Sequence, residues 1–436
     1  MTIGLIILVG IVLFLLILRR PYFGIVFTAA SLPIAGVLPN VPFATSVVTI
    51  IGGITIPAFL LQRKNKKIKS NTSKLISLSR LHLFGLLFIG WIFITNPQAA
   101  IMGRDRNWVF TFAQLWILSW LTSELLDTVQ KQRVFMWVYA VFAILSAFVA
   151  IQQGTWGRDS ELEVQAFGLA EGANSAARYF IIALIFLNYL RGEASNPLTK
   201  SLATVGIVAS VLGVFFSGSR TGVLLLFIAF ALDILLQSNS KYKFQSIFIL
   251  SISLFFLGTI SDSIISYLRP IIPMIIEGTD TMEVRYALWQ AGWKMWLDHI
   301  IAGVGIGMYR FELVHYAFGT IPSFYITMVA HNAYIQILAE TGIVGFILFI
   351  SILAMTLKNT WPNNNVQDGN EITLRNMWFI VFVVILVGAF TKTDQADKML
   401  WLVMGMSVYF SRQSVASLPL EMQNRKNIFQ GKFRRK

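Results

Sequence analysis

The sequence contains no cysteine in its 436 residues. Disulfide bonds, thiolate metal sites and thiol nucleophiles are therefore excluded, although the lack of cysteine does not identify a redox compartment. Charged residues are also scarce, since Asp, Glu, Lys and Arg make up only 13% of the chain. Soluble globular domains carry about 25% charged residues, so this is not the composition of an ordinary soluble protein.

Long apolar runs are present in place of the missing charge. Hydrophobic residues make up 56% of the chain, and the mean hydropathy is +0.68. A helix needs about 20 apolar residues to cross the hydrocarbon core, where only helices or closed barrels satisfy their backbone groups. Because the runs are continuous rather than alternating, they predict an all-α, polytopic transmembrane protein with about 11–13 spans. Candidate spans lie near residues 2–18, 22–39, 44–62, 81–95, 107–125, 134–152, 177–190, 201–217, 222–236, 244–266, 332–357, 376–391 and 397–411.

The chain has an excess of basic residues and a formal net charge of +14. In a soluble protein this would suggest nucleic acid, but in a membrane protein Lys and Arg concentrate in cytoplasmic loops. With the C-terminal tail assigned to the cytoplasm, 24 of the 35 Lys and Arg residues fall on that side. We therefore expect no nucleic-acid partner, a cytoplasmic C-terminus and basic clusters that contact membrane lipids. The loops on this side are 19–20, 63–80, 126–133, 191–200, 237–243, 358–375 and 412–436.

One connection on the predicted outer side, residues 267–330, is much longer than the others. Loops beyond about 15 residues are usually functional or disordered, and this one contains TMEVRYALWQAGWKMWLDHIIAGVGIGMYRF. Trp289, Trp293 and Trp296 recur at helical spacing, with Arg285 one turn before Trp289, which predicts a helix in the membrane interface. A tryptophan belt that only anchors the loop is the alternative. The predicted divisions are N-terminal transmembrane helices (1–200), a transmembrane core with this loop (201–411) and a basic cytoplasmic tail (412–436).

Several basic side chains lie on the predicted outer side, at the ends of spans or in the long loop, although basic residues normally concentrate on the cytoplasmic side. A charge near bilayer depth costs on the order of 2.5–3.5 kcal/mol on insertion scales, and such residues usually face a cavity or mark a substrate path. These residues are therefore candidates for a functional site. They are Arg178, Arg220, Arg285, Arg310 and His331.

Arg220 lies in the stretch SGSRTG, between two apolar runs with no proper loop. Small residues allow close approach of the backbone, and the N-terminus of the following helix presents free N–H groups. Together with the guanidinium they favour an anion site. The alternative is an arginine that extends towards the outer headgroups, but that role would not need the two flanking glycines.

His331 opens the apolar segment AHNAYIQILAETGIVG, and Glu340 lies nine residues further on. A helix cap is one interpretation of His331; a general base is the other, because neighbouring arginines disfavour the protonated ring. A metal site is not expected, since His299, His315 and His331 are spaced 16 residues apart, unlike the ligands of a zinc helix. For Glu340 we expect a structural ion pair or a cap on a broken helix.

The segment from His331 resembles a known family. His331-Asn332, nine intervening residues and then Gly342-Ile-Val-Gly345 resemble the signature of the O-antigen ligases. SGSRTGVLLLFIAF is similar to the arginine segment of that family, and RYALWQAGWKMWLDHIIAGVGIGMYRF is similar to the start of its long periplasmic loop. The resemblance runs in order over residues 205–357. The superfamily also includes O-antigen and exopolysaccharide polymerases and protein O-oligosaccharyltransferases.

The resemblance implies a metal-independent, cofactor-free membrane glycosyltransferase with a GT-C-like fold in the bacterial inner membrane. Its donor would be a glycan on undecaprenyl pyrophosphate, and its acceptor either lipid A–core, as in a ligase, or a second lipid-linked glycan, as in a polymerase. By the same resemblance, Arg220 and Arg285 would bind the pyrophosphate and His331 would activate the acceptor hydroxyl on the periplasmic side. Arg178, Arg310, Asn332 and Glu340 are possible supporting residues.

A transporter of a small anion such as bicarbonate is the alternative from another class, because it too would need buried arginines. Transporters typically show inverted repeats and broken helices at mid-membrane in both halves. The sequence has no such symmetry, and its unusual charges cluster towards one face. The sequence therefore favours the enzyme. It does not decide between ligase and polymerase, although His331-Asn332 leans weakly towards a ligase.

Overall fold

Within the residues that the structure describes, every regular element is helical. The structure is a computed structural model, and it describes residues 2–38, 47–70, 78–95, 108–156, 168–236, 280–317, 328–362 and 369–416. A short 3-10 helix (Leu32–Val37) follows the second α-helix. The α-helices are α1 (Thr2–Arg19), α2 (Tyr22–Ser31), α3 (Val47–Ser70), α4 (Arg80–Thr95), α5 (Trp108–Leu125), α6 (Val129–Trp156), α7 (Ala173–Glu193), α8 (Pro197–Phe216), α9 (Arg220–Leu236), α10 (Asp280–Asp298), α11 (Tyr309–Ala317), α12 (Ala333–Thr360), α13 (Gly369–Gly388) and α14 (Lys398–Ala416).

Six helices in the described part of the chain are long and apolar enough to cross a membrane, which confirms the predicted all-α polytopic class. The candidate span 244–266 and the tail beyond Ala416 lie outside the described residues. The domain boundary predicted after residue 200 falls inside α8, so that division stays a prediction. The six segments are Val47–Lys64, Val129–Gln153, Ala173–Glu193, Pro197–Phe216, Ala333–Thr360 and Gly369–Gly388; shorter apolar helices cover Gly10–Arg19, Tyr22–Val37 and Arg80–Thr95.

Helix α7 lies at the centre of the bundle. Every residue from Ser175 to Leu190 is buried, and the helix packs against α6, α8, α9 and α13. Glycines on α8 allow this close packing, because a Cβ on Gly213 would lie only 2.8 Å from the ring of Phe180. Small residues at helix contacts are the usual way in which membrane helices approach closely. An apolar helix surrounded on all sides is the expected position for such a sequence.

Ion pairs lie at both ends of the bundle. At one end, where α7 and α12 finish, Arg133 pairs with Glu193 at 2.6 Å and Arg375 pairs with Glu371 at 3.1 Å. The loops that the structure describes at this end are among those that the sequence predicts to be cytoplasmic. The other end gathers the start of α7, the α8–α9 turn, the start of α12 and the α13–α14 connection. The residues considered below lie at this second end, which we call the site end.

Helix α12 is broken at Gly342, where φ is +63°. Backbone atoms of the connection between α10 and α11 fill the break: Ile343 N–H donates to the Ile300 carbonyl at 2.8 Å, and Gly305 N–H donates to the Glu340 carbonyl at 3.0 Å. The part of α12 after the break is about 27 Å long at 1.5 Å per residue, close to the ~30 Å of a hydrocarbon core. The part before the break packs beside α10, so both are available to form the site end.

Candidate functional site

The turn before α12 presents His331 and is fixed by its neighbour Asn332. The Asn332 side-chain oxygen accepts hydrogen bonds from the backbone N–H groups of Tyr334 at 3.0 Å and Ile335 at 3.2 Å, so Asn332 is the N-cap of α12. His331 is the one non-glycine residue with positive φ, +48°, in the described part of the chain. Such backbone strain costs on the order of 1–3 kcal/mol and is maintained only where the surroundings enforce it. The half-buried His331 is therefore held in a defined position.

Helix α10 brings Arg285 to this turn. Trp289, one turn after Arg285, donates its indole N–H to the carbonyl of Ala330 at 3.0 Å, directly before His331. Further along, α10 approaches α12 so closely that a Cβ on Gly292 would lie 2.6 Å from Ile335. Because residues one turn apart share a helix face, Arg285 lies on the face that Trp289 turns towards α12. The helix predicted from the tryptophan spacing is present.

Arg220 begins α9, after a tight turn. Gly218 in this turn has φ +64°, and a Cβ on Gly222 would lie 2.4 Å from the Cβ of Ala177 on α7. The Ser219 hydroxyl donates to the Asn174 side-chain oxygen at 2.6 Å and accepts from the Gly222 N–H at 3.0 Å. Gly218 is thus explained by the conformation of the turn, and Gly222 by its close packing against Ala177. They do not by themselves indicate an anion site, contrary to the reasoning from the sequence.

Electrostatic effects connect the three residues Arg220, Arg285 and His331, which we call the cation cluster. Burial lowers the pKa of the Arg285 guanidinium, and the charge of Arg220 lowers it further. Burial likewise lowers the pKa of His331, and the charge of Arg285 adds to this effect. Contacts with Asn174 and Ala389 hold the starts of α9 and α12 at the site end, and the bond from Trp289 to Ala330 ties α10 to the turn of His331. The charges on these three elements therefore act on one another at the site end. Such a cluster favours binding of an anion and keeps the imidazole neutral.

The comparison with protein families covers this cluster. Residues 205–350 match the family model described as O-antigen ligase, which is about a third of the chain. This region belongs to the O-antigen ligase and polymerase superfamily. All three members of the cation cluster lie within the matched residues. No curated protein matches the chain significantly.

The match supports a ligase- or polymerase-type membrane glycosyltransferase. The matched residues include α9, α10, α11 and α12 as far as Ile350, which is beyond the break at Gly342. These elements contribute to the site end. Helix α7 and the α13–α14 connection lie outside the matched residues, yet they contact the same end of the bundle. Part of the site end is therefore built from regions that the family model does not describe.

Arg178 on α7 has a different environment from the one expected for a supporting ligand. Its guanidinium is buried and pairs with two carboxylates from the α13–α14 connection, Asp394 and, at 2.7 Å, Asp397. Lys392 lies 3.3 Å from Asp394. Because two carboxylates pair with Arg178, the contacts observed for its guanidinium are structural. Sequence reasoning missed Lys392, Asp394 and Asp397, although TKTDQADK between two apolar runs was a detectable signal.

Glu340 caps a neighbouring helix. Its carboxylate accepts the Gln336 side-chain N–H at 2.8 Å and the backbone N–H of Tyr309, the first residue of α11, at 3.3 Å. A carboxylate at a helix N-terminus is favourable because it meets free N–H groups and the positive end of the dipole. Arg310 follows in the same turn, with its guanidinium 4.8 Å from the Phe311 ring centre. Of the two roles expected for Glu340, a cap is observed, but the helix that it caps is α11 and not the broken α12.

Within the described ranges, no group of three or more His, Asp or Glu side chains is placed to hold a metal ion. The histidines that the sequence singled out illustrate this. His315 is exposed on α11 and His299 is exposed at the end of α10, whereas His331 is half-buried in the cation cluster.

Proposed function

We propose that the protein transfers a glycan from undecaprenyl pyrophosphate to an acceptor hydroxyl at the periplasmic face of the bacterial inner membrane. The observation that supports this proposal is the cation cluster inside the matched region, where the charge of Arg220 lowers the pKa of Arg285 and the charge of Arg285 lowers the pKa of His331. The cluster lies at the end of the bundle opposite to the predicted cytoplasmic loops. A donor carried by a lipid would reach such a site from the bilayer.

In this proposal Arg220 and Arg285 bind the diphosphate. A guanidinium offers a planar fork of N–H donors that matches phosphate oxygens and stays charged at any physiological pH. Two such groups offset much of the charge of a diphosphate without Mg²⁺, so we propose a metal-independent transfer. Charge develops on the leaving diphosphate as the glycosidic bond breaks, and fixed cations at that position stabilise the transition state most.

His331 acts as the general base. Its lowered pKa keeps the imidazole neutral and able to accept a proton. The acceptor oxygen forms a bond to the anomeric carbon while the bond from that carbon to the diphosphate oxygen breaks. The acceptor proton moves to the imidazole, and undecaprenyl diphosphate leaves with the bonding electrons. The Asn332 cap keeps the imidazole at the start of α12 throughout.

Lipid A–core is the proposed acceptor, because the matched family is described as O-antigen ligase. Deleting the gene and separating the surface polysaccharide by electrophoresis tests this choice. A ligase predicts loss of all long chains from lipopolysaccharide and accumulation of chains on the lipid carrier. Lipopolysaccharide that carries single repeats would instead identify a polymerase with a second lipid-linked glycan as acceptor.

His331→Ala tests the transfer itself. Membranes that contain the variant and the host's own lipid-linked glycan should lose glycan transfer by about 10²–10⁴-fold, the usual contribution of a general base. His315→Ala is the matched control, because His315 is exposed on α11 outside the cation cluster. Transfer at a near-normal rate by His331→Ala would refute the base assignment, and equal losses in both variants would point to damage of the fold.

A further inference from the structure

A buried ion-pair cluster joins α7 to the α13–α14 connection. Arg178 and Asp394 are each 2% exposed, and Arg178 also pairs with Asp397 at 2.7 Å. Asp397 uses its other oxygen to cap α14, accepting the N–H groups of Met399 at 2.7 Å and Leu400 at 3.2 Å. The guanidinium of Arg178 on the central helix thus holds the connection at two positions, Asp394 and Asp397. We call Arg178, Asp394 and Asp397 the clasp.

A second contact holds the same connection to the start of α7. Lys392 donates to the Ser175 hydroxyl at 2.6 Å and lies 3.3 Å from Asp394. Ser175 follows Asn174, which accepts the hydrogen bond from Ser219 beside Arg220. The α13–α14 connection is therefore tied to the same part of α7 that supports the turn of Arg220.

The connection held by the clasp also supports the turn of His331. The Ala389 carbonyl accepts the N–H of Ala333, two residues after His331, at 2.9 Å. The Leu386 carbonyl accepts the Tyr334 hydroxyl at 2.8 Å, and the ring of Phe390 lies 4.5 Å from that of Tyr334. The first turn of α12 thus rests on the last turn of α13 and on the connection that follows it.

A buried ion pair is weak evidence for a contribution to stability, because removing two charges from water offsets much of their attraction. It does impose one geometry, since its hydrogen bonds are directional. His331 has a strained backbone conformation that its surroundings must enforce. The contacts of Ala333 and Tyr334 with the clasped connection supply part of that enforcement.

We propose that the clasp residues Arg178, Asp394 and Asp397, together with the Tyr334 hydroxyl, are positioning residues that set the orientation of His331. This inference rests on the proposed function, in which His331 is the base. The clasp acts through the backbone of the α13–α14 connection and leaves binding of the diphosphate to Arg220 and Arg285. Loss of the clasp or of the Tyr334 hydroxyl should therefore lower kcat, and loss of the Tyr334 hydroxyl, which has no contact with the turn of Arg220 among those described above, should leave the affinity for diphosphate unchanged.

Two variants test this proposal in the full-length protein. Each is reconstituted into proteoliposomes that also contain the host's lipid-linked glycan. Asp394→Asn removes a clasp charge, and Tyr334→Phe removes only the hydroxyl bond to Leu386, so it remains informative if the first variant fails to fold. We expect both to lower kcat by about 10-fold or more, since a misplacement of ~1 Å can cost on the order of 10²-fold. In Tyr334→Phe, which leaves the contacts of Lys392 and Asn174 in place, the KM for the lipid-linked donor and inhibition by inorganic pyrophosphate should stay as in the wild type.

The control is Tyr189→Phe, the same chemical change at the opposite end of α7, where Tyr189 stacks with Arg133; its kcat should be that of the wild type. A wild-type kcat in Tyr334→Phe, or a raised KM with unchanged kcat, would overturn the positioning role. His331→Ala measured in parallel separates the two proposals. If it transfers glycan normally the proposed function fails, whereas if it is inactive while Tyr334→Phe is normal only the clasp proposal fails.

Discussion

At the scale of single residues, the sequence revealed which side chains are unusual but not what holds them. Arg220, Arg285 and His331 stood out because each is polar beside an apolar run. Their proximity depends on contacts between segments far apart in the chain, such as the bond from Trp289 to Ala330. The pairing of Arg178 with Asp394 joins residues 216 positions apart, which no local pattern predicts.

The pH dependence of transfer tests the environment of His331. Because burial and Arg285 lower the pKa of the free imidazole, the neutral base persists below its ordinary pKa of about 6.5. The acid limb of kcat/KM, which reports the free enzyme, should therefore lie below pH ~6.5. Arg285→Gln removes a like charge, raises the pKa of His331 and should shift the limb of the residual activity upward. An unshifted or lowered limb in Arg285→Gln would show that Arg285 does not influence His331.

At the scale of helices, the sequence predicted the elements better than their breaks. The helix with the tryptophan spacing is α10, and the span predicted at 332–357 is α12 (Ala333–Thr360). The break at Gly342 was anticipated only indirectly, as the broken helix that Glu340 could cap, and its geometry could not be predicted. It depends on Ile300 and Ile301 from the α10–α11 connection, and such tertiary contacts leave no periodic signal.

Gly342→Ala tests the break in α12. An added Cβ would lie 2.2 Å from the Ile301 carbonyl oxygen, in a backbone with φ +63°. The left-handed conformation alone costs about 1–2 kcal/mol for a residue with a Cβ, so thermal unfolding of the detergent-purified protein should occur at a clearly lower temperature. Gly90→Ala in α4, where nothing lies within 4 Å of the new Cβ, is the control and should be neutral or stabilising. A harmless Gly342→Ala would mean that the break is absent in solution.

At the scale of the whole molecule, composition was sufficient for the class. The low charge and the continuous apolar runs predicted an all-α polytopic protein, and six long apolar helices confirm this in the described residues. Composition did not identify α7 as the central helix, because its mean hydropathy of 1.3 lies within the range of 1.3 to 2.5 found for the six candidate spans. Its burial follows from packing against glycines on α8.

The orientation in the membrane can be tested directly because the native chain has no cysteine. Glu171→Cys places a thiol at the exposed site end before α7, and Ser195→Cys places one at the exposed opposite end, between α7 and α8. We expect a membrane-impermeant maleimide to label Glu171→Cys in intact spheroplasts and Ser195→Cys only after permeabilisation. The reverse pattern would place the cation cluster in the cytoplasm and exclude a periplasmic transfer.

The central claim is that Arg220 and Arg285 bind a diphosphate beside His331, and calorimetric titration of the purified protein with inorganic pyrophosphate measures this directly. The account predicts binding that weakens by about 10-fold or more in Arg220→Gln and in Arg285→Gln, because each loses charge-assisted hydrogen bonds. Arg191→Gln, at the predicted cytoplasmic end, should bind as the wild type does. Equal affinity in all four proteins, or no binding to the wild type, would contradict the account.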